Sequence, residues 1–390
     1  MKLKKILALV FSISLLVTSF SACSSAEKNG GNDDMKTIAI VAKGESHAFW
    51  VSVKQGAEDA AKKHGGYKII FRGPVSETSQ ELPAQKEMVQ TALINNPDGF
   101  IVATIGEGFT DMLEQAYDKK IPVVQFDSGV WEADINALNE KGKNPIVSTV
   151  ATSNETAAGL AACNLFNAIK TDVAASDGNY VIGVIQHDQT DTGVDRAKGF
   201  IDEFTSLADN ELMTKGKYRF EKIVKDGDSN NAYVDALNAL VEKGADAIFM
   251  TNEGVVKQVS DAIAANSGKY EDIKFCGFDA GTKQIQWMKA EAGPKLVGAV
   301  AQDSFQIGYQ AVEQAVFALE GQQVSEKVDI SGAWWDATNV DQMIADNLVY
   351  EGVGFFVIFV HRVGRVNKKD NLCFLVWNKV LDGQSRKQSY

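Results

Sequence analysis

The chain has 390 residues, 45% hydrophobic and 23% charged, with a formal net charge of −12. That length suits two or three compact domains with sizeable cores. Lys2, Lys4 and Lys5 are the only charges before residue 23, and residues 352–390 carry seven Lys/Arg against two Asp, so the body between them is strongly acidic. Such a body repels phosphate backbones, which excludes nucleic acid as an expected partner and favours a neutral or cationic ligand.

The N-terminus reads as an export signal. Three lysines precede a charge-free apolar run, Ile6–Phe20, and small residues Ser21 and Ala22 then lead into Cys23. About 15 residues is short of the roughly 20 that a membrane helix needs. Small residues followed at once by Cys resemble a bacterial lipobox, with Phe20 in place of the usual Leu; that resemblance implies lipidation of Cys23 after removal of residues 1–22. Residues 23–35 are polar and Gly/Asn-rich, a flexible tether behind a lipid anchor. Cys163, Cys276 and Cys373 stand far apart, so no CxxC pair signals zinc or redox chemistry, and no metal or cofactor is expected.

From Lys36 onward strands and helices alternate. Thr37–Ala42 is a short β-branched run, and Phe49, Val53, Ala57, Ala60 and Ala61 then recur at helical spacing. Strand at Lys68–Phe71, helix at Gln80–Asn95, strand at Gly99–Thr104, helix at Gly108–Lys119 and strand at Pro122–Asp127 complete a first series. A break near Ser148–Asn154 precedes a second series, with strands at Tyr180–Gln186, Arg219–Val224, Ala247–Asn252, Lys274–Asp279 and Leu296–Gln302. Helices at Asn231–Lys243 and Gly254–Ala265 lie between them. Apolar strands alternating with amphipathic helices predict an α/β fold of two doubly wound parallel-sheet lobes.

In such sheets ligands bind beyond the carboxyl ends of the strands. Lys43, Ser46, His47, Phe49 and Trp50 follow the first strand, Glu107 the third, and Asp127 and Ser128 the fourth. In the second series the corresponding residues are Asp188, Asp191, Asn252, Glu253, Asp279 and Gln302. Carboxylates and amides bond paired hydroxyls, and aromatic rings cover apolar C–H faces, so the set suits a polyhydroxyl ligand. Enzyme signatures are missing: the four histidines (47, 64, 187, 361) form no HExxH, there is no P-loop or GxSxG, and Gly106-Glu107-Gly108 meets Asp111 where a dinucleotide motif has its third Gly. The expected class is a binding protein, not an enzyme; a lipoprotein hydrolase is the remaining enzymatic alternative.

From Lys36 to Glu351 the sequence resembles the type I periplasmic sugar-binding proteins, the ribose-binding-like branch that feeds ABC importers. Thr37–Gly65 matches the family's opening strand and helix, and PVVQFDS (122–128), IFMTNE (248–253), GFDAG (277–281) and AVAQDSFQIGYQA (299–311) match further blocks in order. The resemblance implies ligand contacts from His47 (in place of an Asn), Phe49 and Trp50 (a paired-aromatic position), and Asp127, Asn252, Asp279 and Gln302. Ser128 replaces the family's Arg, Lys43 a small hydroxyl residue, and Arg196 is the basic residue nearest the second-lobe Arg, whose aligned position holds Val194. Lys43 also resembles the lysine of autoinducer-2-binding relatives, which makes signal binding or chemosensing the alternative function.

The resemblance further implies a hinge of three crossovers, near Ala151–Thr152, Gln302–Asp303 and Ile330–Ser331. The N-terminal lobe is then 36–151 plus 303–330, and the C-terminal lobe 152–302 plus 331–351. Expected partners are a monosaccharide (pentose or hexose), an importer permease and, through the anchor, the membrane; the protein is expected as an extracytoplasmic monomer. Residues 352–390 are basic, fall outside the resemblance and carry apolar runs too short to span a bilayer; they are expected to be a dispensable extension, the alternative being an added hairpin packed on the second lobe.

Overall fold

The computed structural model describes residues 35–225 and 231–349. The expectations for the signal, the tether, Cys23 and the segment 352–390 fall outside these residues.

The first half contributes β1 (Lys36–Val41), α1 (Ala48–His64), β2 (Tyr67–Arg72), α2 (Leu82–Ile94), β3 (Gly99–Val102), α3 (Thr110–Asp118), β4 (Val123–Phe126), α4 (Glu132–Glu140) and β5 (Ile146–Thr152). Then follow α5 (Asn154–Ala175), β6 (Tyr180–Gln186), α6 (Asp191–Asn210), β7 (Tyr218–Val224), α7 (Ala232–Glu242), β8 (Ala247–Met250), α8 (Glu253–Ala265), β9 (Lys274–Phe278), α9 (Thr282–Met288) and β10 (Leu296–Gln302). The chain ends through α10 (Ser304–Leu319), β11 (Lys327–Ile330), β12 (Gly332–Trp335) and α11 (Val340–Ala345).

Two six-stranded sheets result, ordered β11-β5-β4-β3-β1-β2 and β12-β10-β9-β8-β6-β7. All neighbours described are parallel except β10 and β12. The chain passes from the first sheet to the second after Thr152, back after Gln302, and across again after Ile330. Strand β5 and edge strands β11 and β12 are additions to the expected set; β5 and β11 interleave polar with apolar residues and β12 is only four residues long, so none shows the long apolar run that marks a central strand.

Alternation along the strands builds a core on each sheet face. In β1, Ile38 and Ile40 join Trp50, Val53 and Ala57 of α1 and Ile307 and Ala311 of α10. Ala39 and Val41 point the other way, toward Val89, Leu93 and Leu113. In β8, Ile248 and Met250 face one cluster of the second lobe and Ala247 and Phe249 the other. Each fully buried Val, Ile or Phe contributes about 1.5–3 kcal/mol.

The lobes repeat one device. The helix entering each lobe after a crossover packs on that lobe's first helix, α10 on α1 and α5 on α6. Gly56 lies against the Phe305 carbonyl, Gly308 against that of Val53, and Gly199 against Glu155, so a Cβ at any of the three would collide with a neighbouring backbone. In both sheets the order reverses beside the first strand of the lobe, between β1 and β3 and between β6 and β8. The loops after β1 and β6 therefore open at the switch point where such sheets bind ligands.

Candidate functional site

Asp127 and Asp279 occupy equivalent places, each directly after the third strand from its sheet's edge, β4 and β9. Both are left-handed, with φ of 56° and 64°. The strands accordingly stop one residue earlier than the sequence suggested, and both carboxylates turn off the sheet ends. Asp is among the few non-glycine residues that adopt this conformation readily.

On the first lobe, Lys43 Nζ stands 3.4 Å from Asp127 Oδ2 and 3.6 Å from Glu77 Oε2. Burial depresses the ammonium, but Asp127, Glu77 and Asp188 outweigh it and hold the amine above the usual lysine range. Trp50 departs from the expected open cleft face. Its ring is 1% exposed inside the core, edge-on to Phe49 and Phe126, and it reaches the site through Nε1, which donates to Glu77 Oε1 at 2.8 Å. Consecutive helical residues diverge by about 100°, so Phe49 stays half-buried while Trp50 enters the core.

His47 caps α1: Nδ1 accepts the Phe49 N–H at 3.3 Å, which puts the proton of the neutral ring on Nε2. Nε2 lies 3.0 Å from Glu253 Oε2, a contact across the cleft from first lobe to second. The bond to Glu253 raises the imidazole pKa against the opposing effect of burial, and the charges of Glu253, Glu77 and Asp279 add to it. Glu253 is seated against Gly281, where a Cβ would meet its carboxylate.

On the second lobe, Asp279 Oδ1 accepts from Gln302 Nε2 at 2.6 Å and Oδ2 from the Glu253 N–H at 3.0 Å. Asn252 caps α8, its Oδ1 accepting the Val255 N–H at 2.9 Å. Arg196 corrects the expectation of a cleft-lining cation. It is 4% exposed, its Nε donates to Asn154 Oδ1 at 2.8 Å and its Nη1 to the Thr251 carbonyl at 3.0 Å, and it covers the Phe278 ring at 3.9 Å. At 3.5 Å from Asp279 Oδ2 it supports the carboxylate from behind. His187 sits in the same layer, its Nδ1 2.7 Å from Thr251 Oγ1, and burial pushes it well below the usual histidine range, so it is neutral at neutral pH.

A cavity of about 430 Å³ opens between the loop after β4 and the loop after β6. That size lies within the range of small-molecule sites. Glu107, Ser128, Val130, Trp131 and Asn136 line it from the first lobe and Gln189, Thr190 and Asp191 from the second. Ser128 Oγ is buried there and meets no hydrogen-bond partner among the described residues. The expected residues thus divide. Ser128 and Asp191 line the cavity, while Lys43, His47, Asp127, Asp279 and Gln302 form the polar layer that adjoins it through Asp127-Ser128. Glu77, Trp131 and Gln189 were missed. Trp131 and Gln189 lie within five residues of a strand end, and a wider window after each strand finds them; Glu77 sits in a long loop with no periodic signal.

The sequence matches the periplasmic binding protein domain over residues 38–323. The ribose import binding protein of Bacillus subtilis (strain 168) is 26% identical over 339 residues, covering 84% of this chain and 97% of that protein. The D-allose-binding periplasmic protein of Escherichia coli (strain K12) is 25% identical over 305 residues, covering 78% and 88%. A solved structure described as an ABC transporter, LacI family transcriptional regulator from Brachyspira murdochii superposes with a TM-score of 0.73 at 32% identity, covering 82% of this chain and 100% of that one. Two parallel-dominated sheets, crossovers between them and a cleft at the strand ends agree with these matches, and the chain belongs to the periplasmic binding protein domain family, with the type I fold.

Proposed function

We propose that the protein is the extracytoplasmic solute-binding component of an ABC importer, that it captures a monosaccharide between its lobes by hinge closure, and that it delivers the sugar to a permease without altering it. The observation that carries this reading is the pair of equivalent carboxylates, Asp127 and Asp279, each flanked by a nitrogen donor at a strand end. Carboxylate oxygens accept from vicinal hydroxyls, while Lys43 and the Gln302 amide donate to them. Ser128 and Gln189 belong to the lining, and Trp131 supplies an aromatic surface for a sugar ring. The sugar-binding relatives named above support the same class.

The site residues proposed are Lys43, His47, Phe49, Asp127, Ser128, Asp191, Asn252, Asp279 and Gln302, with Trp50 and Arg196 as buried supports. Export and anchoring through lipidated Cys23 belong to the same reading and rest on the sequence before residue 36. The deciding experiment is a melting screen of the mature protein against pentoses and hexoses, D-ribose and D-allose included. A sugar present at 100 times its Kd adds about 2.7 kcal/mol to stability and raises the melting temperature. No shift with any monosaccharide sinks the proposal.

A further inference from the structure

The second-lobe carboxylate is joined to the crossovers by a chain of polar contacts. Thr152, the last residue of β5, belongs to the first sheet, and Gln302, the last of β10, to the second. Thr152 Oγ1 and Gln302 Oε1 are 2.7 Å apart. Gln302 Nε2 donates to Asp279 Oδ1 at 2.6 Å, Arg196 Nη1 lies 3.5 Å from Asp279 Oδ2, and Arg196 Nε donates to Asn154 Oδ1 at 2.8 Å. The path leaves one crossover at Thr152, runs through the site, and returns to the same crossover two residues later. Thr152, Asn154, Arg196 and Gln302 are each at most 8% exposed.

The polarity of the path is fixed. An ionised Asp279 only accepts, so the Gln302 amide must present its nitrogen to it and its oxygen to Thr152. The Thr152 hydroxyl therefore donates. Without that donor the buried amide oxygen has no partner in the path, and the amide plane is held at its nitrogen end alone, by the bond to Asp279. We propose that Thr152 is a positioning residue for ligand capture: it sets the Gln302 amide, and through it the Asp279 carboxylate, in the orientation that receives ligand hydroxyls, and it ties that orientation to the lobe crossover.

The ligand part of this proposal rests on the sugar-capture reading; the bond itself does not. The test uses the mature full-length chain with ¹⁵N-labelled glutamine, the Gln302 side-chain resonance being identified by its loss in Gln302→Leu. The ligand-free protein should show one Gln302 amide proton that is shifted downfield and exchanges slowly. Thr152→Val, which keeps the shape and removes the hydroxyl, should abolish that signature and weaken the best-binding sugar of the melting screen roughly tenfold. Thr152→Ser should restore both. If Thr152→Val does not fold, Thr152→Ala takes its place. An unchanged resonance overturns the proposal, as does unchanged affinity beside a changed resonance. If no sugar binds the wild-type protein, the capture reading fails, and the resonance alone decides whether the hydroxyl holds the amide.

Discussion

Asp279 has more dependents than a ligand contact alone requires. It accepts from Gln302 and from the Glu253 backbone and faces Arg196, so truncating it strands two donors and removes the counter-charge beside Arg196. Asp279→Ala should abolish sugar-induced stabilisation and also lower the ligand-free stability by about 3 kcal/mol or more, measured by urea unfolding, since it removes two bonds to a charged acceptor, worth about 1.5–3 kcal/mol each. A variant that loses affinity at unchanged stability would show that the carboxylate serves the ligand only. His47 makes a second prediction. Its pKa is raised in the folded state, so the charged contact with Glu253 contributes fully below the unfolded value near 6.5 and is lost as pH rises through the folded value. Protonation of Nδ1 gives up the long cap to Phe49, which offsets part of the gain. Its side chain is 47% exposed, so solvent screening keeps the contribution under about 1 kcal/mol. The melting difference between wild type and His47→Gln should be greatest near pH 6 and shrink toward pH 9; a difference independent of pH would remove the charged form from the contact.

At the scale of elements, the helices beside each crossover depend on close approach. Gly56 of α1 and Gly308 of α10 each sit on a carbonyl of the other helix. Gly56→Ala puts a methyl group where the Phe305 backbone stands, and neither side can yield as a flexible side chain would. We expect a loss of about 1–3 kcal/mol in urea unfolding, the usual cost of overpacking; a smaller loss would mean that the helices separate easily. The elements themselves were largely legible. Strands β1, β3, β4, β6 and β8 through β10 follow from apolar runs, and the helices α1, α2, α3, α7 and α8 from their periodicity. Strands β11 and β12 were not legible: β11 (KVDI) alternates charged and apolar residues, and in β12 (GAWW) the apolar stretch is only Ala333–Trp335. The strand ends were set too late at Asp127 and Asp279, because an apolar run does not reveal that the next residue takes a left-handed turn.

At the scale of the whole molecule, the proposed function requires both capture and attachment. Binding should close the lobes about the crossovers after Thr152, Gln302 and Ile330, and the radius of gyration from X-ray scattering should fall when sugar is added. An unchanged radius with saturating sugar would argue against closure. Cys23→Ser should release the protein from the membrane fraction into the soluble one without changing sugar affinity; retention in the membrane would argue against the acyl anchor.

The fold class was legible in the sequence, and so were the residues now proposed for the site. Alternating apolar strands and amphipathic helices require covered parallel sheets, and in such sheets the strand ends are where loops can converge; Asp127, Asp279, Lys43 and Gln302 are found from that rule alone. The tertiary structure decided what each residue does there. Trp50 goes into the core while Phe49 stays half-buried, Arg196 backs Asp279 from inside the lobe, Glu77 joins Lys43 from a loop 34 positions away in the chain, and Thr152 meets Gln302 across 150 residues. Periodicity is a local property and reads local structure. Burial and partnership depend on which distant segments are brought together, and that is set by how the two sheets cross.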